Sequence, residues 1–241
     1  MRWAAIACLL TALTSSTASA SEHTDHQYQT WLSAALHGPV KGHVWYWTDV
    51  HFRFYENFQP YWILLRPGIS WRVGPPVYLT LGYAWTPSWA RPNHPENNDL
   101  DFTDEHRAWE QVMWSPVDEK TGFGATLRGR LEQRMRPQIH RDTGLRLRVM
   151  VRGQVPLSKR VPLTFIVWDE VFVALNDAEW GQHRGFDQNR AFAGIGWQIK
   201  PSIVRLEVGY QNQWIVRNGA DAFNHILGIS TALGWPERKK K

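Results

Sequence analysis

The sequence predicts an all-β fold: an antiparallel up-and-down transmembrane β-barrel of 10 to 12 strands, which follows a cleaved signal peptide. Three observations predict it. Two long segments within residues 122–153 alternate between apolar and charged side chains. The first twenty residues have the composition of an export signal. Short turns alternate along the chain with longer, more polar connections.

The N-terminal residues 1–20 are predicted to be a secretory signal peptide. Arg2 precedes a mostly apolar stretch over residues 4–14, and small residues at 17–20 offer a cleavage site. This stretch is too short for a membrane helix. The single cysteine, Cys8, lies within it, so the mature chain is expected to begin near Ser21 and to form no disulfide.

The charge and composition of the chain limit the kinds of partner that can be expected. The formal net charge of +5 depends on Arg2 and on a basic tail at residues 236–241. The rest of the chain is nearly neutral, so no nucleic acid is expected as a partner. Arginine far outnumbers lysine, and there are 15 tryptophans. Arginine suits charges that pair in confined places, and tryptophan favours membrane interfaces.

The strands are assigned from the alternation. A weak strand over 29–36 belongs to an N-terminal lead-in, residues 21–41, and ten clear strands form a barrel domain over 42–235. The ten ranges are 43–55, 62–73, 77–85, 105–114, 122–136, 145–153, 163–173, 189–199, 204–214 and 223–235. Bacterial barrels are expected to have an even number of strands. The weak strand therefore either lies outside the barrel or has an undetected partner that makes twelve.

Some positions depart from simple alternation. Polar and apolar residues occur on both faces of residues 105–114. Asp169 falls on an apolar face, which suggests a bulge or a register shift there.

Glycines recur on the polar faces, where they would make room in a crowded interior. Aromatic residues fall toward the ends of strands, as in the girdles of membrane barrels. They are Trp71, Tyr83, Trp85, Trp197, Tyr210, Trp214 and Trp235.

The same alternation is compatible with two environments. In a soluble barrel or sandwich the apolar face points into a core, whereas in an outer-membrane barrel it meets lipid and the arginines line the lumen. Short connections are expected near residues 75, 118, 157 and 201, and longer or more polar ones near 95, 139, 181 and 219. That pattern favours the outer membrane, with lipid as a partner.

An ordered series of motifs carries a family resemblance. These are Arg130–Arg134 (RLEQR), Leu145–Arg148 (LRLR), Asp169–Phe172 (DEVF), Asp187–Arg190 (DQNR) with Gly194–Gly196 (GIG), Leu206–Tyr210 (LEVGY) and Asn224-His225. In this series the chain resembles the bacterial domain of unknown function 2490 family. The resemblance implies an outer-membrane-barrel-like fold and, by analogy, the barrel-assembly machinery as a partner. It implies no catalytic residues. The tail after Trp235 departs from the usual outer-membrane ending on a terminal aromatic residue.

A cluster of charged residues is predicted to face inward. Its members are Arg128, Arg130, Glu132, Arg134, Arg146, Arg148, Glu170, Arg190, Arg205 and Glu207, with Glu105 and Arg107 as further candidates. One interpretation is a salt-bridge network that fills a narrow barrel, with the glutamates as the partners of the arginines. The other is a lumen that attracts small anions, because the arginines outnumber the glutamates.

No arrangement of residues predicts a catalytic, metal or cofactor site. Residues considered for hydrolysis or acyl transfer are Ser88, His94, His106, His140, His183 and His225, but no spacing joins them. His51 with Asp49 is an isolated pair. The expected function is a non-enzymatic outer-membrane barrel with a structural, binding or narrow-pore role. The alternatives are a lipid-modifying barrel enzyme and a soluble periplasmic barrel that binds an apolar ligand.

Overall fold

The computed structural model describes residues 24–74, 76–89, 102–118, 121–158, 160–200, 203–217 and 221–234. Within these ranges eleven strands form one closed β-barrel. The strands are β1 (Thr24–Lys41), β2 (Val44–Tyr55), β3 (Pro60–Gly74), β4 (Val77–Trp89), β5 (Phe102–Trp114), β6 (Gly124–Arg136), β7 (His140–Pro156), β8 (Leu163–Ala174), β9 (Gly185–Lys200), β10 (Val204–Ile215) and β11 (Asp221–Gly234). The predicted all-β barrel of 10 to 12 strands is confirmed. No helix in the described ranges has the length and apolarity to cross a membrane.

Neighbouring strands in the sequence pair antiparallel all the way from β1 to β11. The ring then closes by a parallel pairing of β1 with β11, from Thr24 opposite Asp221 to His37 opposite Gly234. We call the end where β3 turns into β4 the Gly74 end, and the end where β4 leads to β5 the Trp89 end. β1 begins at the Trp89 end, and β11 finishes at the Gly74 end.

The N-terminal strand is the main departure from the sequence prediction. The weak segment was expected either outside the barrel or beside a twelfth strand. It is instead β1, the eleventh member of the ring, and it makes the number of strands odd. The strand also runs past Gly38 and Pro39 to Lys41, because a register shift against β2 accommodates the proline.

The two faces of the wall differ in polarity as predicted. Outward-facing apolar residues are exposed, with Ile69 at 67 % and Leu81 at 65 %, whereas the inward-facing Arg130 is 1 % exposed. Side chains alternate between the faces along each strand, so each strand contributes to both surfaces. The facing of β5 also becomes clear: Glu105, Arg107 and Trp109 are buried in the interior.

Two local expectations differ from the structure. Pairing continues without interruption through Asp169, and the shift between β8 and β9 lies between Phe172 and Val173 instead. Asp169 faces outward, where its carboxylate accepts hydrogen bonds from Nδ2 of Asn189 at 3.0 and 3.1 Å. The alternation of connection lengths is also imperfect. The connection 137–139 is short because β7 already begins at His140, and the connection 115–123 is longer than expected.

The signal peptide, the basic tail, His94 and Trp235 lie outside the described residues. Of the other predicted aromatic residues, the tryptophans lie toward the ends of their strands, whereas Tyr83 and Tyr210 lie near the middle of β4 and β10. Trp71 and Trp197 are exposed near the Gly74 end. Near the Trp89 end, Trp85 donates a hydrogen bond to Asp104 at 3.1 Å, and Trp214 donates one to Asp221 at 2.9 Å.

Candidate functional site

The charged interior is built around the hairpin of β6 and β7. In this hairpin Arg130 pairs with Arg148 and Glu132 pairs with Arg146. Residues opposite each other on paired strands share a face, so all four side chains point into the barrel. Glu132 is 1 % exposed, whereas Leu127, on the other face of β6, is 47 % exposed. The sequence therefore predicted the facing of this hairpin correctly.

Glu132 holds two arginines at the centre of the interior. Its Oε1 accepts a hydrogen bond from Nη1 of Arg148 at 2.6 Å, and its Oε2 accepts from Nη2 of Arg146 at 2.7 Å. Nη1 of Arg130 lies 3.8 Å from Oε1 of the same carboxylate. Burying a carboxylate costs its hydration free energy, and charged hydrogen bonds of this kind offset that cost.

Glu170 on β8 extends this network across the interior. Nε and Nη2 of Arg148 donate to its two carboxylate oxygens, both at 3.0 Å. Nη2 of Arg128 donates to Glu170 at 2.7 Å. The order Glu132, Arg148, Glu170, Arg128 alternates in sign along the network, which is the arrangement expected of a structural ion-pair network.

Three further groups of ion pairs surround this centre. Glu105 accepts from Nε of Arg107 at 2.7 Å and from Nη2 of Arg134 at 3.0 Å. Glu207 accepts from Nη2 of Arg152 at 2.6 Å and lies 3.0 Å from Nε of Arg205. Nε of Arg66 donates to Asp49 at 2.8 Å, and the ring of His51 is hydrogen-bonded to the same carboxylate at 2.6 Å. The predicted cluster did not include Asp49, Arg66 or Arg152, although the alternation places all three on polar faces.

Aromatic side chains fill much of the remaining space. The indole of Trp109 is 1 % exposed, and the guanidinium carbon of Arg130 lies 4.4 Å from its ring centroid. On β9 and β8, Phe192 stacks on Trp168 with ring centroids 5.3 Å apart. Sequence analysis did not identify these inward aromatic residues as part of the site. The signal for Trp109 was ambiguous: it alternates in step with Glu105 and Arg107, but the charged Glu110 lies on the opposite face of the same strand.

Close-fitting glycines make room for those rings, as the sequence predicted for the polar faces. A Cβ at Gly82 would lie 2.2 Å from Cζ2 of Trp109. A Cβ at Gly194 or Gly209 would lie 2.6 Å from Cζ of Phe192. A larger residue at any of these positions would require the ring to move. It would also clash with a backbone carbonyl oxygen, that of Pro67 at Gly82, of Val208 at Gly194 and of Ala193 at Gly209.

Arg190 differs from the rest of the predicted cluster. The other predicted arginines each have a carboxylate oxygen within 4.0 Å. Within the described ranges Arg190 has none, and its side chain makes one long hydrogen bond, from Nη2 to Oε1 of Gln188 at 3.4 Å. Its guanidinium carbon lies 5.1 Å from the ring centroid of Trp31 and 4.6 Å from that of Phe172.

The residues considered for catalysis are dispersed. Ser88 is hydrogen-bonded to Thr103 at 2.9 Å, and His106 to Tyr83. His140 lies 2.6 Å from Glu179, and His183 lies 4.0 Å from Asp177. His225 is hydrogen-bonded to Tyr210 at 2.6 Å and to His26 at 3.0 Å. Among the described residues no hydrogen bond joins Ser88 to a histidine, and no group of three or more His, Cys, Asp or Glu in those ranges could hold a metal ion.

Comparison with known proteins agrees with the family resemblance. The family described as protein of unknown function (DUF2490) matches residues 28–224. An uncharacterized protein of Methylorubrum extorquens is 34 % identical over 217 residues, which cover 88 % of this chain and 90 % of that protein. No solved structure matches. The chain belongs to the DUF2490 family of proteins of unknown function.

Proposed function

We propose that the protein is an outer-membrane β-barrel with a non-enzymatic structural or binding role, whose interior is closed by its own side chains. The observation that carries the proposal is the polarity of the wall. Large apolar residues such as Ile69 and Leu81 are exposed on the outside, and charged residues such as Arg130 and Glu132 are buried inside. A water-soluble barrel would show the reverse.

The extent of the apolar outer face supports the same proposal. Exposed leucine, isoleucine, valine and tryptophan side chains occur on strands around most of the ring. Soluble proteins rarely expose a continuous apolar surface of this kind. The tryptophans near both ends of the wall fit the two interfacial girdles of a barrel in a bilayer.

The packing of the interior supports a closed barrel rather than an open pore. Trp109, Phe172, Arg130 and Glu132 are each less than 2 % exposed. Barrels of about eight strands are just wide enough for side chains to fill them, and eleven strands leave somewhat more space. In this protein the additional space is occupied by arginines, glutamates and aromatic rings.

Membrane fractionation followed by gel migration with and without boiling tests the proposal. We expect the protein to pellet with the membranes, to require detergent for extraction and to migrate differently after boiling. A protein that stays in the soluble periplasmic fraction would contradict the membrane assignment. For the closed interior, we expect no stable single-channel current after reconstitution into a planar bilayer, and a steady conductance would contradict it.

A further inference from the structure

We infer that Arg53 and Arg190 form a binding site for a small oxyanion, a carboxylate or a phosphate, inside the barrel. The inference gives the proposed binding role a ligand class and therefore rests on it. The two side chains come from β2 and β9, which are distant in sequence. They are brought together because β1, which carries Trp31, lies between β2 and β11 in the closed ring.

Both guanidinium groups pack against the same indole. The guanidinium carbon of Arg53 lies 3.7 Å from the ring centroid of Trp31 and 3.7 Å from that of Trp62. That of Arg190 lies 5.1 Å from the centroid of Trp31 and 4.6 Å from that of Phe172. Stacking on aromatic faces fixes both planar groups, but it does not satisfy the N–H donors at their edges.

One donor on each group lacks an acceptor. In the part of the chain that the structure describes, Nε of Arg53 and Nε of Arg190 are both enclosed and have no hydrogen-bond partner, although Nη2 of Arg190 donates to Gln188 and the side chain of Arg53 is within hydrogen-bonding reach of Tyr61. Among the described residues, neither arginine takes part in an ion pair. Leaving charged donors unsatisfied in a confined interior is costly, so the site is incomplete as the chain alone builds it.

Glu170 lies opposite Arg190 in the register of β8 and β9, but its carboxylate is already engaged by Arg128 and Arg148. The polar neighbours Gln188 and Gln29 are neutral amides. Oε1 of Gln188 accepts the long hydrogen bond from Arg190 and also accepts one from Gln213. Oε1 of Gln29 accepts from the indole of Trp31 at 2.8 Å and from the hydroxyl of Tyr61 at 2.7 Å. These amide oxygens are already engaged and carry no charge to balance the two arginines. A mobile anion can supply that charge.

The free edges indicate the class of anion. In arginine, Nε–H and an Nη–H form one side of the planar group, and that side matches two oxygens of a carboxylate or a phosphate. Each side chain also remains partly accessible although its Nε is enclosed. A small ligand therefore has surface to contact on both arginines.

The test uses the full-length mature protein in detergent, with the thermal unfolding midpoint measured as inorganic phosphate is added. A ligand that binds the folded state raises the midpoint with its concentration. We expect phosphate to stabilise the protein more than sodium chloride at matched ionic strength. Arg53→Gln and Arg190→Gln should each weaken the apparent phosphate affinity at least about tenfold, because each removes charged hydrogen bonds to the ligand.

Arg152→Gln is the matched control. It also removes one interior arginine, but Glu207 keeps Arg205 as a partner, so phosphate affinity should stay unchanged. Equal stabilisation by chloride, or equal loss of affinity in all three variants, would overturn the site. Neither result would alter membrane fractionation. The anion site can therefore be disproved while the proposed outer-membrane location stands, and the reverse also holds.

Discussion

Gly82 lies directly against the indole of Trp109, so closely that a Cβ at position 82 would be 2.2 Å from Cζ2 of the ring. The two residues sit on neighbouring strands and are opposite each other in the register of β4 and β5. The absence of a side chain on one strand therefore defines the space that the largest side chain on the next strand fills. This pair closes one side of the interior.

Gly82→Ala should destabilise the barrel. The new methyl group overlaps the indole, and overpacking of this kind costs about 1–3 kcal/mol. The thermal unfolding midpoint in detergent measures the effect. Gly74→Ala is the control, since a Cβ there meets no atom of the described residues within 4 Å. Adding Trp109→Phe to Gly82→Ala should recover part of the loss, because phenylalanine is smaller than tryptophan. Equal midpoints for the two alanine variants would contradict the fit.

Glu132→Gln should be among the most damaging single changes. It removes the charge that Arg146 and Arg148 share, at distances of 2.7 and 2.6 Å, and leaves buried cations without compensation. Loss of one partner from a buried pair costs about 3–5 kcal/mol. Urea titration of folding into lipid vesicles measures the change. Glu179→Gln is the control, because its ion pair with His140 is largely exposed. If the two variants unfold alike, the interior network does not stabilise the fold.

Leu81→Arg tests which medium surrounds the wall. Leu81 faces outward, with 65 % of its surface exposed. In a bilayer, an arginine on the lipid-facing side of a barrel costs about 2–4 kcal/mol at mid-depth and less near the interfaces. We expect reduced folding yield into vesicles for this variant. Leu175→Arg, on the connection after β8, should fold normally. A neutral effect at Leu81 would favour an aqueous environment.

A pair of cysteines tests the contact between β1 and β11 that closes the ring. Leu32 and Ile229 are opposite each other in the register of β1 and β11. The predicted mature chain has no cysteine of its own. Leu32→Cys with Ile229→Cys should therefore react readily with a short thiol cross-linker, detected by mass spectrometry. Leu32→Cys with Val208→Cys should not, since Val208 lies one strand further round, on β10. Equal yields would rule out β1 as the partner of β11.

The alternation of apolar and polar side chains was sufficient to predict, for most strands, which face points into the barrel. Leu127 and Arg130 differ in parity on β6, and the structure places them on opposite faces as expected. The pattern was weaker where the interior holds aromatic residues. Trp109 faces inward and Glu110 outward on β5, so polarity alone gave no consistent orientation there. Strand β1 gave a weak signal for the same reason, because Trp31 is one of its buried residues.

Partners across the interior could not be predicted from the sequence. Arg128 pairs with Glu170, on a strand that is not its neighbour. Among the described residues Arg190 has no carboxylate oxygen within 4.0 Å, although Glu170 lies opposite it in the register of β8 and β9. These outcomes depend on ring closure and on the direction of each long side chain. Local spacing contains neither piece of information. The prediction that glutamates would serve as partners therefore held for the network as a whole and failed for Arg190.

The parallel contact between β1 and β11 also determines how the ring can be completed. Eleven strands make five antiparallel hairpins and one strand left over, so the last step joins two strands that run in the same direction. Consequently the chain enters the barrel, at the start of β1, at one end and leaves it, after β11, at the other end. In a bilayer, a short epitope placed just before β1 and another placed just after β11 would be accessible from opposite compartments.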